Sequence, residues 1–308
     1  MRVAMHEQPS WPAGYTGRAA THEDVPAIHR LVAECERALY GRVETDPDVI
    51  AAELARPGLD PARDTMLGYG PSGELAARAW VNRRSAVDVH PDHRGRGLGG
   101  ALLDWTERCA RHSGTPRLVQ TVPGADQAAN ALIRSRGFAP KVTAWLLAIE
   151  LAEEPQLPEP PAGITVRPFA PGDGVAVHHM VEDAFDEWQQ RRKPYGEWVR
   201  LTIDRARFVP AMSPVAFAGD ELVGAVLSLD DPAAGMGYVE RVAVRRDHRD
   251  RGIARLLLRY AFRGFHQAGR RGCTLWTHSD TRALGLYERV GMSVRRSSTV
   301  YQKELSAL

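Results

Sequence analysis

Two short segments carry the same pattern at the junction between a strand-like run and an amphipathic helix, and this repetition limits the fold more than any other feature. The first reads His90-Pro91-Asp92-His93-Arg94-Gly95-Arg96-Gly97-Leu98-Gly99; the second reads Arg245-Arg246-Asp247-His248-Arg249-Asp250-Arg251-Gly252-Ile253-Ala254. Each contains Arg-x-x-Gly-x-(Gly/Ala). A turn of this kind exposes backbone N–H groups at a helix N-terminus, where the helix dipole favours negative charge. The arginines add guanidinium groups that pair with phosphate. The pattern predicts a pyrophosphate-holding loop, built twice.

What surrounds the two loops is also repeated. Arg249 lies 155 residues after Arg94, and Gly291 lies 154 after Gly137. Short opening strands are expected at Gly17–Ala20 and Ile164–Phe169, and helices begin near Asp24 and Asp173 with apolar spacings that suit one buried face. Tight turns at Pro71-Ser72-Gly73 and Gly219-Asp220 separate further strands. After each loop come a helix, a strand (Leu118–Val122; Cys273–His278) and a short helix that stops at Gly137 or Gly291. The four prolines between Ala152 and Gly163 exclude helix and sheet interior and suit an extended spacer. The expected organisation is a tandem duplication of a mixed α/β unit: a first domain over 1–151, a linker over 152–162 and a second domain over 163–308. The alternative is two unrelated α/β domains that share a loop type.

Composition narrows the function classes. A chain of 308 residues accommodates two cores. The net charge of only +2 makes the arginine-rich loops local features rather than part of a nucleic-acid-binding surface. No run approaches the length of a membrane span. Cys35, Cys109 and Cys273 have no CxxC spacing, so a reducing, cytoplasmic setting is expected. His90 and His93 flank Asp92, and His178 adjoins His179, but neither pair has a convincing set of metal-ligand partners, so no metal is expected.

Two blocks together carry a family resemblance. Arg249 to Ala254 resembles the acetyl-CoA loop of the GNAT superfamily of N-acetyltransferases. Asp280-Thr281-Arg282-Ala283-Leu284-Gly285-Leu286-Tyr287-Glu288-Arg289-Val290-Gly291-Met292 is similar to that family's Asn-x-x-Ala-x-x-x-Tyr-x-x-x-Gly-(Phe/Met) signature, with Asp280 in place of the asparagine. The tandem arrangement is similar to that of mycothiol synthase and its relatives, in which one GNAT domain catalyses and the other does not. The resemblance implies, for each half, a twisted mixed sheet whose central strands splay apart, with acetyl-CoA in the notch. It places cofactor contacts at Val242, Ala243, Val244, Arg249, Asp250, Arg251, Gly252, Ile253, Ala254, Arg255 and Asp280. Their counterparts in the first half are Val87, Val89, Arg94, Gly95, Arg96, Gly97 and Gly99.

The chemistry distinguishes the halves. Acyl transfer to an amine needs a base for the amine, donors for the thioester oxygen and an acid for the leaving thiolate. The resemblance offers Glu240, nine residues before Arg249, as base and Tyr287 as acid, with the Val242 N–H as oxyanion donor. An ordinary strand carboxylate paired with an arginine is the alternative for Glu240, and packing against the cofactor the alternative for Tyr287. His278 is the reserve base. The corresponding positions in the first half are Ser85 and Ile133, which can do neither job. There the loop either still holds a CoA-like ligand or persists because Gly97 and Gly99 allow close strand–helix packing.

The acceptor is expected over Phe185 to Pro210, where Trp188 and Tyr195 would contact an amine by cation–π interaction and Trp198 has the spacing of a core residue. The expected function is acetyl transfer from acetyl-CoA to a small-molecule amine by a monomer or homodimer, without nucleic-acid or membrane partners. A protein N-terminus as acceptor, or a non-catalytic acyl-CoA sensor, are the competing readings.

Overall fold

The computed structural model describes residues 8–82, 85–186, 191–232 and 234–305. The first half of the chain forms β1 (Thr16–Arg18), α1 (Val25–Tyr40), α2 (Pro47–Leu54), α3 (Pro61–Asp64), β2 (Thr65–Tyr69), β3 (Leu75–Trp80), β4 (Ala86–Val89), α4 (Leu98–His112), β5 (Arg117–Pro123), α5 (Gln127–Ser135) and β6 (Ala139–Glu150). The second half forms β7 (Ile164–Pro168), α6 (Gly174–Phe185), α7 (Tyr195–Leu201), β8 (Pro214–Ala218), β9 (Glu221–Asp231), β10 (Met236–Val244), α8 (Ile253–Gln267), β11 (Gly272–His278), α9 (Leu284–Arg289) and β12 (Ser293–Glu304). Apart from α3, the order of elements repeats as the sequence implies, in a mixed α/β fold.

The start of each copy is fixed by the same device. Asp24 accepts two hydrogen bonds from Arg18, at 2.7 and 2.6 Å, and one from the Thr21 N–H at 2.8 Å. Asp173 repeats this with Arg167, at 2.6 and 2.7 Å, and the Ala170 N–H at 2.7 Å. The Arg18 hydrogen bonds hold the Asp24 carboxyl down at about 2. The stability this gives is present above the ordinary aspartate range and is lost as pH falls toward that value.

Packing divides the chain into two compact units, one of residues up to Thr143 together with those from Ser298 onward, the other of Ala144–Ser297. These limits depart from those expected at 151 and 163. Ala144–Glu150 of β6 run antiparallel to β11, and Leu147 and Leu151 are buried in the second unit's core with Val239, Phe262 and Leu275. Ser298–Glu304 of β12 run antiparallel to β5. Tyr301 there is fully buried in the first unit and donates its hydroxyl to Asn130 Oδ1 at 2.8 Å. Each unit therefore takes its last strand from the other half of the sequence. The proline-rich seam separates two copies of a motif, whereas burial of apolar side chains decides which core a strand joins.

In the second unit the strands lie in the order β7-β8-β9-β10-β11-β6. Among the described residues of this unit only β10 and β11 pair in parallel, over Met236–Tyr238 with Gly272–Thr274. Beyond Tyr238, β10 pairs with β9 alone and the two central strands part. The register of β10 on β9 shifts between Val239 and Arg241, so Glu240 is the extra residue of a β-bulge. Helix α8 covers one face of the sheet, burying Ile253, Leu257, Phe262 and Phe265 against Val239, Val244 and Leu275. Gly237 permits that approach, because a Cβ there would stand 2.5 Å from the Phe265 ring. On the other face, α6 packs Val177 and Val181 with Trp198, Ala225 and Ala243.

The first unit has the sheet order β1-β2-β3-β4. Just before β4 the chain meets β5 at a single parallel bridge, Ser85 to Gln120.

Candidate active site

The notch between β10 and β11 opens into a cleft of about 1120 Å³ in the second unit. Its walls are Val239–Val244 on one strand and Leu275–His278 on the other, completed by Arg249, Asp250 and Gly252 of the turn, the start of α8, and α9. The turn has the backbone of an anion nest. Arg249 is extended (φ −67°, ψ 163°), Asp250 lies at φ 61°, and Gly252 caps α8 at φ 80°. A positive φ is easy for glycine and tolerable for aspartate, which explains how Asp250 stands where the first unit has Gly95. Arg249 ties the turn to the end of α6 by donating to the Ala184 carbonyl at 3.2 Å, and it donates to the Val244 carbonyl at 3.3 Å.

The structure brings most of the expected residues together. Glu240, Val242, Ala243, Val244, Arg249, Asp250, Gly252, Ile253, Ala254, Arg255, Asp280 and Tyr287 all line the cleft, as does His278. Arg251 does not; it is exposed. The sequence patterns also missed several lining residues. Trp276 is 41% exposed, on the face of β11 opposite the buried Cys273 and Leu275. The two-residue alternation along Cys273–His278 carries that signal, but the family motifs skip the strand.

Two side chains stand out chemically. Tyr287 is buried on α9, and this burial pushes its hydroxyl up to about 12, with Thr277 opposing only in part. It therefore keeps its proton at neutral pH, the state a proton donor needs. Glu240 is half-buried, with its Oε2 3.6 Å from Arg205 Nη1. The bulge turns both Glu240 and Arg241 toward the α6 face, since Val239, Val242 and Val244 pack on the α8 side.

Of the two acceptor residues expected from sequence, only Tyr195 falls among the described residues. Trp188 lies outside the described residues. Tyr195 is not among the cleft-lining residues; it stacks on Trp198 at 6.2 Å and meets the edge of His178 at 5.5 Å. Trp198 is 2% exposed and belongs to the core, as its helical spacing implies.

The first unit reproduces the backbone of the turn, with Ser85 and Ile133 at the positions of Glu240 and Tyr287. Arg94 (φ −65°, ψ 156°), Gly95 (φ 75°) and Gly97 (φ 88°) repeat the backbone of the second turn. The two arginine side chains of this turn are engaged within the unit: Arg94 stands 3.4 Å from the Asp126 carboxylate and Arg96 donates to the Tyr15 hydroxyl at 3.3 Å. A Cβ on Gly99 would meet Leu132 at 3.0 Å, a close helix–helix contact. Val87 and Val89 pack against the first unit's core. Ser85 bonds to β5 through its N–H and its hydroxyl, both to the Val119 carbonyl at 2.7 and 3.0 Å. Ile133 is core.

Comparison with known proteins agrees with this geometry. The acetyltransferase (GNAT) family model matches residues 176–292, and an acetyltransferase (GNAT) domain model matches residues 63–140. A crystal structure of a GCN5-related N-acetyltransferase from Sphaerobacter thermophilus is 31% identical, with a TM-score of 0.75 and coverage of 96% of this chain and 97% of that one. The chain belongs to the GCN5-related N-acetyltransferase family. A mycothiol acetyltransferase from Catenulispora acidiphila is 29% identical over 307 residues, 92% of this chain and 97% of that protein. A tandem GNAT protein from the clavulanic acid biosynthesis pathway shares the fold, at 17% identity and a TM-score of 0.63 over 95% of this chain and 99% of that one. GNAT acetyltransferases take acetyl-CoA as donor, and this N-acetyltransferase carries their fold twice. Among its described residues no helix is long and apolar enough to cross a membrane, and no group of three or more His, Cys, Asp or Glu could hold a metal ion.

Proposed function

We propose that the second unit transfers the acetyl group of acetyl-CoA directly to a primary amine of a small molecule, and that the first unit performs no chemistry. The observation that carries this reading is the meeting of Glu240 and Tyr287 on one notch beside the Arg249–Gly252 turn. The notch suits a CoA-type ligand on three grounds. Its volume is ample, the edge of β10 facing it is unpaired beyond Tyr238, and the turn presents N–H groups and guanidinium groups to a pyrophosphate. Arg249 and Arg255, with the N–H groups of Gly252, Ile253 and Ala254, would hold the phosphates, and Val242–Val244 the pantetheine arm.

When bound, acetyl-CoA supplies an activated thioester. Glu240 takes the amine proton, directly or through one water, so that the lone pair is free to attack. The Val242 N–H faces the thioester oxygen as negative charge grows on it. As the C–N bond forms and the C–S bond breaks, Tyr287 gives its proton to the departing sulfur, and the second proton shed by the nitrogen returns to Tyr287 through water. Holding amine and thioester in one cleft removes much of the entropic part of the barrier. The near full-length likeness to a mycothiol acetyltransferase supports a small-molecule acceptor over a protein N-terminus. Against a sensor without turnover stand Glu240 and Tyr287 themselves, which binding alone does not require.

The test is thiol release from acetyl-CoA with a panel of small amines. Glu240→Gln should lower kcat by about a hundredfold near neutral pH, with part of the rate recovered at higher pH where the amine loses its own proton. A rate unchanged in Glu240→Gln would remove this carboxylate from the mechanism.

A further inference from the structure

We propose that the amine acceptor also carries a carboxylate, as an amino-acid-like molecule does, and that Arg205 receives it. This rests on the acetyl-transfer reading of the same cleft. Arg205 lies between α7 and β8, outside the cleft lining itself; it is 39% exposed and approaches the cleft-lining Glu240 at 3.6 Å, too far for a hydrogen bond. Its forked N–H donors are thus positioned beside the base without being committed to it. Arg241, next to Glu240 in the chain, lines the cleft, and its guanidinium sits 5.7 Å from the Phe185 ring. The surroundings of Glu240 therefore hold two guanidinium groups, that of Arg205 at 3.6 Å and that of its chain neighbour Arg241.

That balance selects among amines. A simple alkylamine is a cation at neutral pH and gains little from a site whose local charge is already positive. A molecule with an ammonium and a carboxylate gains at both ends: the ammonium at Glu240 and the carboxylate at Arg205, where planar, forked pairing is available. An exposed carboxylate–arginine contact of this length is weak and easily exchanged. Arrival of the acceptor carboxylate would draw Arg205 from Glu240 and leave that side chain free to take the amine proton. The exposed ring of Trp276, with Arg296 stacked 5.3 Å away, supplies an apolar wall for the rest of the acceptor. Arg205 is thus a recognition residue, and the ion pair it makes is the resting state of the base.

The experiment compares α-amino acids with their α-amides as acceptors, in the wild type and in Arg205→Gln, with acetyl-CoA binding measured by calorimetry. The wild type should favour the acids by at least about tenfold in kcat/KM, and Arg205→Gln should erase that preference by raising KM for the acids alone. Acetyl-CoA affinity should be the same in both proteins. Equal use of acids and amides by the wild type would overturn the proposal while leaving acetyl transfer intact. An equal fall in kcat for both acceptor types in Arg205→Gln would also overturn it, by reducing Arg205 to a positioning role. Absence of thiol release from every amine, with acetyl-CoA still bound, would overturn both readings.

Discussion

Replacing Tyr287 with phenylalanine should lower kcat by about a thousandfold while leaving acetyl-CoA affinity within about threefold of the wild type. The ring would still fill its place among Leu275, Val290 and Met292 in the second unit's core, so folding is not at stake. What is lost is a hydroxyl whose burial holds its pKa up at about 12. The sign matters for the pH profile. A raised tyrosine pKa keeps the acid protonated through the whole neutral range, and its proton is lost only as pH climbs toward that value. A fall in wild-type rate at moderately alkaline pH therefore has another origin and should persist in the residual activity of Tyr287→Phe. Stopped-flow thiol release at saturating acetyl-CoA, with calorimetric affinity, checks both statements. A loss smaller than about threefold would reduce Tyr287 to a packing residue.

Ending the chain at Ser297 should prevent the first unit from folding, although the removed residues lie at the far end of the sequence. Those residues pair with β5 from Ser298↔Pro123 to Glu304↔Arg117. They also bury Tyr301 and Leu305 beside Leu118, Val122, Ile133 and Phe138. Lys303 adds an ion pair with the nearly buried Glu107 at 2.7 Å. Deletion leaves β5 without this partner and opens that core to water, a cost comparable to the whole stability of a domain. The milder Tyr301→Ala should cost about 3–5 kcal/mol, because it leaves a cavity and strips Asn130 Oδ1 of its donor. Limited proteolysis and urea denaturation, with the fragments identified by mass, check the prediction. Resistance of residues 8–143 to proteolysis in the truncated chain would contradict it.

Much of the fold was legible because its signals are local. The two Arg-x-x-Gly turns have the same backbone in both units, despite Asp250 standing where Gly95 does. Helices α4 and α8 begin at the residues after Gly97 and Gly252, as the motif requires. What escaped is what depends on distant parts of the chain. A repeat offset assigns β6 and β12 to the copies that encode them, but Leu147 and Tyr301 are buried in the other copy's core.

The candidate site divides along the same line. Residues inside a contiguous motif, such as Tyr287 and Gly252, line the cleft. Arg205, which meets Glu240 from a separate segment, belongs to no motif. Tyr195 has the composition of a binding residue, yet it stacks on Trp198 away from the cleft lining. The bulge at Glu240 is equally silent in sequence, because it is defined only by pairing with β9.

The central claim, that one turn serves the reaction and its twin does not, is tested most directly by the pair Gly252→Asp and Gly97→Asp. Both glycines cap a helix at positive φ, 80° and 88°, so the two substitutions impose similar backbone strain and the same added charge. Steady-state kcat/KM for acetyl-CoA should fall by more than about a hundredfold in Gly252→Asp and by less than about threefold in Gly97→Asp, with circular dichroism confirming that both are folded. An equal loss in the two folded variants, or a loss confined to Gly97→Asp, would contradict the assignment of the chemistry to the second unit.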